Sequence, residues 1–263
     1  MPNATVNIEQ LNPNILNQDD IYLITQFFIP TNLERKKELI FCLKENINLN
    51  IFKNIFLINE KEYTKNELEL NDIEMLKIKQ ICFKKNNSDL NGERMKYIHP
   101  LILVQLQKLK GYIVISNSDI FFDKTLKYLH HSSLSIKKSL YALLRFEFNN
   151  SNSNSNSNSN ISFEEKKNKS KLFGPRPDSQ DTWIFHTNFL PNNREMMRCN
   201  FELGMPGCDN SIAYLFNSFG YQLYNEPFIV KTYHYHTTNI RNYNKSNTVP
   251  PPYMLIKPII RQT

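Results

Sequence analysis

Short apolar runs alternate with amphipathic segments along the chain. The most informative run, Tyr112 to Ser116, ends at the polar turn Asn117-Ser118-Asp119, and a second acid follows at Asp123. Consecutive apolar and β-branched residues are typical of a strand that is covered on both faces of a sheet. Ligands of open α/β sheets bind just beyond the carboxyl ends of strands, so this turn is a candidate ligand site.

The rest of the pattern predicts strands and helices in alternation, which favours parallel pairing and an α/β fold. Strands are predicted at residues 21–29, 55–58, 78–83, 139–148 and 228–235, and a further ordered segment at 181–185. Helices are predicted at residues 33–46, 93–110, 123–130 and 211–219. Thr31 or Asn32 is placed to cap the first helix, and Gly220 to end the last one.

Polar and low-complexity segments mark the limits of one large domain, predicted at residues 21–245. Residues 1–20 are polar and rich in Asn, and residues 246–263 contain three consecutive prolines, which favour an extended tail. An Asn-Ser repeat begins at Asn149, and a segment of mixed charge continues to Lys171. Such a segment lacks the apolar surface that offsets ordering entropy, so residues 149–171 are predicted to be a disordered insertion.

The composition favours a soluble, reduced protein. A chain of 263 residues can bury a large core without disulfides, and its four cysteines are scattered, so we expect thiols in a cytoplasmic type of compartment. The first 20 residues lack the basic and apolar regions of a signal peptide. No apolar stretch is long enough to span a membrane, so no membrane span is expected.

Basic charge is concentrated near the end of the chain. The net charge is +7, and no acidic residue follows Glu226. The basic residues of this acid-free region are Lys231, Arg241, Lys245, Lys257 and Arg261. Because they are not as dense as the Lys/Arg arms that bind nucleic acid, the pattern favours a phosphate-bearing small ligand over nucleic acid.

Five motifs follow one another along the chain. They are Ser116 to Asp123, Ala142 to Glu147, Asp178 to Phe185, Leu203 to Asn210, and Tyr233 to His236 with Arg241 and Tyr243. In this order they resemble a family of GT-A type glycosyltransferase-like proteins of large DNA viruses, algae and bacteria. The resemblance spans residues 21 to 243, almost the whole chain, and the Asn-Ser insertion departs from it between the second and third motifs.

The resemblance implies both a fold and a reaction. The fold is a GT-A-like α/β/α sandwich with a mostly parallel, Rossmann-like sheet. Its nucleotide-binding half occupies residues 21–125 and its acceptor-binding half residues 139–245. The reaction is the transfer of a sugar from a nucleotide-sugar donor to an acceptor hydroxyl, on a glycan or glycoprotein, with Mn²⁺ or Mg²⁺ at the acidic turn.

Asp119 is the predicted metal ligand of the acidic turn, and Asp123 a supporting acid. Hard cations bind carboxylate oxygens and share their coordination sphere with substrate phosphates. The alternative is that the turn only caps the following helix, with Asp123 at its amino end.

His234 and His236 alternate on a predicted strand and therefore face one side. We predict that His236 completes the metal site; two ordinary core histidines are the alternative.

Asp209 is the predicted general base, because sugar transfer with inversion needs a carboxylate to accept the proton of the acceptor hydroxyl. It directly precedes a predicted helix, so an amino-terminal cap is the alternative. Asp181 is predicted to contact hydroxyls of the donor sugar or the acceptor, with Trp183 as a wall against a sugar face. The alternative is a turn acid beside a core tryptophan.

Arginines are the predicted phosphate partners, because a guanidinium group matches phosphate oxygens in a bidentate way. The candidates are Arg145, Arg176 and Arg241, and surface ion pairs are the alternative. Asn117 is predicted to contact the nucleotide from the acidic turn. By analogy with other Rossmann-like folds, Asn32 and Arg35 are expected beside the nucleotide base.

Two other classes of function remain open at this point. A nucleotidyltransferase also uses acids and metal at strand ends, but it usually needs a glycine-rich phosphate loop, and this chain has six glycines and no such motif. A non-catalytic protein that binds nucleic acid or glycans through the basic carboxyl-terminal region is the second alternative. It predicts binding that depends steeply on salt.

Overall fold

A computed structural model describes residues 18–83, 94–149, 162–238 and 247–260 of the chain. The strands of this part are β1 (Ile21–Thr25), β2 (Asn54–Asn59), β3 (Ile78–Cys82), β4 (Tyr112–Ser116), β5 (Ile120–Phe122), β6 (Ser139–Leu143), β7 (Phe146–Glu147), β8 (Lys171–Leu172), β9 (Thr182–His186), β10 (Gln222–Tyr224) and β11 (Thr232–His234). Its helices are α1 (Leu33–Asn48), α2 (Lys65–Leu68), α3 (Asp72–Met75), α4 (Ile98–Leu106), α5 (Phe163–Asn168), α6 (Asn193–Arg198) and α7 (Cys208–Ser218). Short 3₁₀ helices cover Lys124–His131, Ser133–Ser135 and Thr187–Phe189.

The large sheet has the strand order β10-β6-β9-β4-β1-β2-β3. Neighbouring strands are parallel, except that β9 runs antiparallel to both β4 and β6. The predicted fold class is confirmed: the protein is an α/β sandwich around a mostly parallel, Rossmann-like sheet. Because β9 is reversed, its amino end lies at the same edge as the carboxyl ends of β4 and β6.

The two faces of the sheet are covered by different helices. Along β1, Leu23 belongs to one buried apolar cluster and Ile24 to another, as the alternation of side chains in a strand requires. Helix α1 packs on the first face through Leu39 and Leu43. Helices α4 and α7 cover the second face, where Ile212 of α7 is buried. Burial on both faces explains why the strands of this sheet are continuous apolar runs.

A second, smaller sheet has the order β5-β11-β7-β8. In its register, His234 of β11 is opposite Ile120 of β5 and Glu147 of β7. Phe121 and Phe148 pack edge to face beneath it, with ring centroids 5.1 Å apart. The register therefore brings the histidine strand next to the acidic turn that precedes β5.

Several predicted elements are shorter in the structure. The first strand was expected over residues 21–29 but ends at Thr25. Beyond it, the amide of Phe27 donates to the side chain of Asn59, at 2.9 Å from Oδ1, instead of to a backbone carbonyl of β2. The helix expected over residues 93–110 begins at Ile98, and the strand expected over residues 228–235 is limited to Thr232–His234. None of the described helices is both long and apolar enough to cross a membrane.

The predicted disordered insertion, residues 149–171, needs a partial correction. Residues 150–161 lie outside the described part, but residues 162–171 include α5 and the start of β8. Ser162 and Glu165 form a reciprocal capping box at the start of α5. Phe163 packs against Phe148 with ring centroids 5.4 Å apart. The cap and this aromatic contact provide the stabilisation that the charged sequence did not suggest.

The proline-rich tail, predicted as a separate segment, packs on the domain over residues 247–260. The amide of Val249 donates to the carbonyl of Pro206, and the amide of Met254 donates to that of Asn210, at 2.9 and 3.0 Å. The amide of Ile256 donates to the carbonyl of Pro177 at 2.8 Å. The tail therefore ties together the two loops that precede β9 and α7. The remainder of the predicted polar segment at the amino terminus, residues 1–17, lies outside the described part, as do residues 239–246 and 261–263.

Candidate active site

A cavity of about 440 Å³ lies at the edge of the large sheet where β1 and β4 end. Asp119 follows β4, Arg145 follows β6, and Asp181 precedes the reversed strand β9, so all three reach this edge. Asp209 is in the first turn of α7 and also lines the cavity. Among the predicted site residues, those that line the cavity are Arg35, Asn117, Asp119, Arg145, Arg176, Asp181, Trp183, Asp209, His234 and His236. The tertiary structure thus brings most of the candidates from distant parts of the chain into one place.

Asp119, His234 and His236 form a group that can bind a metal ion. One carboxylate oxygen and one nitrogen from each ring lie within 4.8 Å of one another. Nε2 of His234 is 3.3 Å from Asp119 Oδ2, and Nδ1 of His236 is 3.8 Å from it. Nε2 of His236 is buried without a hydrogen-bond partner. These residues fit a divalent cation, because carboxylate oxygens and imidazole nitrogens are both ligands of such ions.

Asp119 is also paired with an arginine from α1. Nη2 of Arg35 lies 2.5 Å from Asp119 Oδ2, and Nη1 lies 2.8 Å from Glu38 Oε2. Burial would raise the pKa of Asp119, but the charges and hydrogen bonds of His234 and Arg35 outweigh it and hold this pKa well below its usual range. Arg35, which was predicted beside the nucleotide base, therefore lies at the metal-binding group.

The other nitrogen of His234 is bound by a second carboxylate. Nδ1 of His234 lies 2.8 Å from Glu147 Oε2. Burial alone would lower the pKa of His234, but Asp119 and Glu147 raise it to about 9. The ring is therefore protonated at neutral pH, and a cation that binds Nε2 must displace a proton from it.

Glu147 connects this group to the second acidic part of the cavity. Its Oε1 atom accepts a hydrogen bond from Nε of Arg145 at 2.8 Å, and Nη1 of Arg145 pairs with Asp181 Oδ2. Oδ1 of Asp181 accepts from the side-chain amide of Asn117 at 2.7 Å. Both oxygens of Asp181 are thus bound to protein donors, so it fixes the positions of Arg145 and Asn117 in the cavity wall.

Asp209 has a different environment from Asp181. Its oxygens accept from the backbone amides of Gln180 and Asn210, at 3.3 and 3.1 Å. Burial, and then the nearby charge of Asp181, raise the pKa of Asp209 to about 7. A carboxylate with a pKa near neutrality can accept a proton from a substrate and release it again, as a general base requires.

The predicted phosphate-binding arginines are engaged with acidic residues. Besides Asp181 and Glu147, Arg145 contacts Ser179 and stacks over Phe173, with its guanidinium carbon 4.1 Å from the ring centroid. Arg176 makes two hydrogen bonds to Asp178, at 3.0 and 2.9 Å. The surface ion-pair alternative therefore describes Arg176, which is half-exposed, whereas the side chain of Arg145 is largely buried. Arg241 lies outside the described residues.

Three other candidates, Asn32, Asp123 and Trp183, have contacts that stabilise a helix end or the core. Oδ1 of Asn32 accepts from the amide of Arg35 at 2.8 Å and caps α1, and Asn32 does not line the cavity. Asp123 caps the next 3₁₀ helix and accepts from the hydroxyl of Tyr233 at 2.9 Å. Trp183 is only 2% exposed and packs edge to face on Tyr97, so it is a core residue that reaches the cavity wall.

Two acidic residues of the site were missed by sequence reasoning. Glu147 is the last residue of the second motif, Ala142 to Glu147. That it lies opposite a histidine became visible only with the register of β7 and β11. Glu38 lies within α1, and its carboxylate accepts from the amides and hydroxyls of Thr237 and Thr238, at 2.6 to 3.2 Å. Nothing in a helical sequence pattern signals such a contact across 199 residues.

Comparisons with known proteins do not assign a function. No model of a known protein family matches the chain, and no curated protein matches it. Among solved structures, a 4-diphosphocytidyl-2C-methyl-D-erythritol synthase from Anaerococcus prevotii DSM 20548 is 10% identical, with a TM-score of 0.42 over 87% of this chain and 92% of that one. A second 4-diphosphocytidyl-2C-methyl-D-erythritol synthase is 8% identical, with a TM-score of 0.40 over 88% of this chain and 96% of that one. Similarity this weak identifies neither substrate nor reaction, so the function has to be inferred from the cavity.

Proposed function

We propose that the protein is a metal-dependent glycosyltransferase of the GT-A type, which moves a sugar from a nucleotide-diphosphate sugar to an acceptor hydroxyl. The observation that supports this proposal best is the shared cavity of two sites. One is the metal-binding group of Asp119, His234 and His236, and the other is Asp209, with its pKa near 7. A transferase of this kind needs a cation for the leaving diphosphate and a base for the acceptor.

In this proposal each group has one role. Asp119, His234 and His236 would hold Mn²⁺, which stabilises the charge of the leaving diphosphate. Arg35 lies beside Asp119 and would add a second positive charge there. Asp209 would accept the proton of the acceptor hydroxyl while the acceptor oxygen forms a bond to the sugar carbon and the bond from that carbon to the diphosphate oxygen breaks. The products are the glycosylated acceptor and a nucleoside diphosphate.

The finer parts of the proposal come from the motif resemblance. They are the family of large DNA viruses, algae and bacteria, and a glycan or glycoprotein as acceptor. Arg145 and Asp181 neutralise each other, which leaves Asp209 as the base candidate in a wall that also contains Phe173 and Met205.

The decisive experiment is a thermal-shift panel of nucleoside diphosphates and sugar nucleotides, each with Mn²⁺ and with a chelator. A ligand at 100 times its Kd stabilises the folded state by about 2.7 kcal/mol. We expect a shift from one nucleotide that needs Mn²⁺ and is lost in Asp119→Asn. The matched control is Asp123→Asn, because Asp123 does not line the cavity. A nucleotide that raises the melting temperature equally with and without Mn²⁺, and equally in Asp119→Asn, would contradict the proposal.

Product analysis then separates this reaction from nucleotide transfer. With the stabilising sugar nucleotide and a mixed glycan acceptor, the proposal predicts release of a nucleoside diphosphate. A nucleotidyltransferase would release pyrophosphate from a nucleoside triphosphate instead. If the protein releases pyrophosphate from a nucleoside triphosphate, and if this release requires Mn²⁺ and Asp119, the metal site is supported but the glycosyltransferase assignment is wrong.

A further inference from the structure

Glu147 occupies the junction of the two parts of the cavity. Its Oε2 atom lies 2.8 Å from Nδ1 of His234, and its Oε1 atom lies 2.8 Å from Nε of Arg145. The opposite side of the His234 ring faces Asp119, with Nε2 at 3.3 Å from Oδ2. One carboxylate thus binds the outer nitrogen of a candidate metal ligand and, with its other oxygen, an arginine paired with Asp181.

The register of the small sheet fixes the contact between Glu147 and His234. Glu147 on β7 is paired directly with His234 on β11, so their side chains emerge on the same face of the small sheet. The same register places His234 opposite Ile120, the neighbour of Asp119. A histidine ring held from both sides in this way has one orientation and one nitrogen available to a cation.

We propose that Glu147 is a positioning residue for the metal site: it holds Nδ1–H of His234 so that Nε2 is presented to the cation beside Asp119. This inference rests on the proposed function, because it takes the metal-binding group as given. Carboxylates that bind the second nitrogen of a ligating histidine fix its tautomer and raise its basicity, and their loss typically lowers metal affinity about 10- to 100-fold.

Substitutions of Glu147 should weaken Mn²⁺ binding in two steps. Glu147 accepts from two donors, one on each oxygen. In Glu147→Gln an N–H₂ donor replaces one of the two acceptor oxygens, so with the side chain in the same position it can accept from His234 or from Arg145 but not from both. Glu147→Ala serves neither. We therefore expect the Kd for Mn²⁺ to rise about tenfold in Glu147→Gln and up to about 100-fold in Glu147→Ala.

The test is Mn²⁺ binding at one fixed pH, measured from the paramagnetic resonance signal of the free ion in the full-length protein. Imidazole ¹⁵N shifts of His234 in the metal-free protein add a second readout, since loss of the Nδ1 hydrogen bond moves that resonance even when folding is intact. Glu164→Gln is the matched control, because Glu164 lies on the neighbouring α5, 72% exposed and paired with Lys167. It should leave both readouts unchanged. Thermal unfolding of each variant verifies that it is folded.

Two further variants separate failure of the inference from failure of the proposed function. His234→Ala and Asp119→Asn remove candidate ligands. If both weaken Mn²⁺ binding but Glu147→Gln, folded like the wild type, binds within twofold of it and keeps the His234 shift, Glu147 has no positioning role. If neither ligand variant weakens Mn²⁺ binding, the metal site itself, and with it the proposed function, is wrong.

Discussion

Nη2 of Arg35 lies 2.5 Å from Oδ2 of Asp119, the same oxygen that faces both histidines of the candidate metal site. The arginine comes from α1 and the aspartate from the turn after β4, so the contact joins two elements that are 84 residues apart in the chain. Both side chains are almost fully buried. The guanidinium group therefore supplies positive charge to a carboxylate at the position where a cation would bind.

The first prediction concerns this ion pair. Arg35→Gln leaves Glu38 buried without its cationic partner and leaves Asp119 with His234 alone. Breaking a buried pair in this way costs about 3–5 kcal/mol. Urea unfolding should show a loss of this size, and saturating Mn²⁺ should restore part of it by binding Asp119. Lys37→Gln is the matched control, because Lys37 pairs with Glu34 on the surface of the same helix, and its loss should cost less than about 1 kcal/mol. An Arg35→Gln variant as stable as the control would contradict this account.

The second prediction concerns Asp209 as a base. Asp209→Asn should lower the rate of sugar transfer about 10²–10⁴-fold while Mn²⁺ affinity stays the same, because an amide cannot accept the proton. In the wild type, kcat/KM should fall about tenfold per pH unit below pH 7, where Asp209 becomes protonated, and level off above it. A variant with near wild-type turnover would overturn the assignment of the base.

A third prediction follows from the raised pKa of Asp209. Its pKa is about 7 in the folded protein against a usual value of 3.8, so between these values the folded state binds a proton that the unfolded state lacks. Relative to Asp209→Asn, the wild type should therefore lose stability as the pH rises from about 4 to 7, by up to about 4 kcal/mol, and then stay level. Free energies of unfolding from urea titrations of the two proteins at pH 5 and pH 8 should show about 3 kcal/mol of this loss. A gap that is the same at both pH values would show that the carboxyl group is not shifted.

The fourth prediction concerns the packed tail. Gly207, at the amino end of α7, has a φ of +79°, and an added Cβ would lie 3.0 Å from both Tyr253 Oη and the carbonyl oxygen of Val249. Gly220 has a similar φ of +87° but open space around it. Gly220→Ala should cost only the backbone strain, about 1–2 kcal/mol, whereas Gly207→Ala should cost more because the tail must shift. Equal losses for the two variants in urea unfolding would indicate that the tail does not press on this loop.

The sequence pattern was informative where burial is two-sided or a helix is long. The apolar runs at β1, β2, β4 and β6 and the amphipathic segment of α1 predicted the elements that form the sheet and its first covering layer. The small sheet was not anticipated, because β7 and β8 are two residues each and show no periodicity. Its strands are stabilised by the aromatic contacts of Phe121, Phe148 and Phe163, which join distant segments of the chain.

The candidate site likewise has residues that the sequence predicted and residues whose contacts only the structure showed. Asp119, Asp209 and the two histidines were predicted from residue type, from position along the chain and from the motif resemblance, and the structure places them in one cavity. The roles expected for Arg145 and Asn32 depended on which partners lie nearby. Arg145 is bound by Asp181 and Glu147, and Asn32 by the first turn of α1.

The sequence by itself determined the α/β class, the main strands and the residue types available for chemistry, because these depend on local apolar patterns and on side-chain identity. Only the tertiary structure decided which of these groups meet. The reversed strand β9 and the register of β11 bring Asp119, Asp181 and His234 to one edge of the sheet. Burial and neighbouring charges at that edge then set their pKa values: the cationic partners of Asp119 hold its pKa well below the usual range, while burial and the nearby charge of Asp181 raise the pKa of Asp209 to about 7.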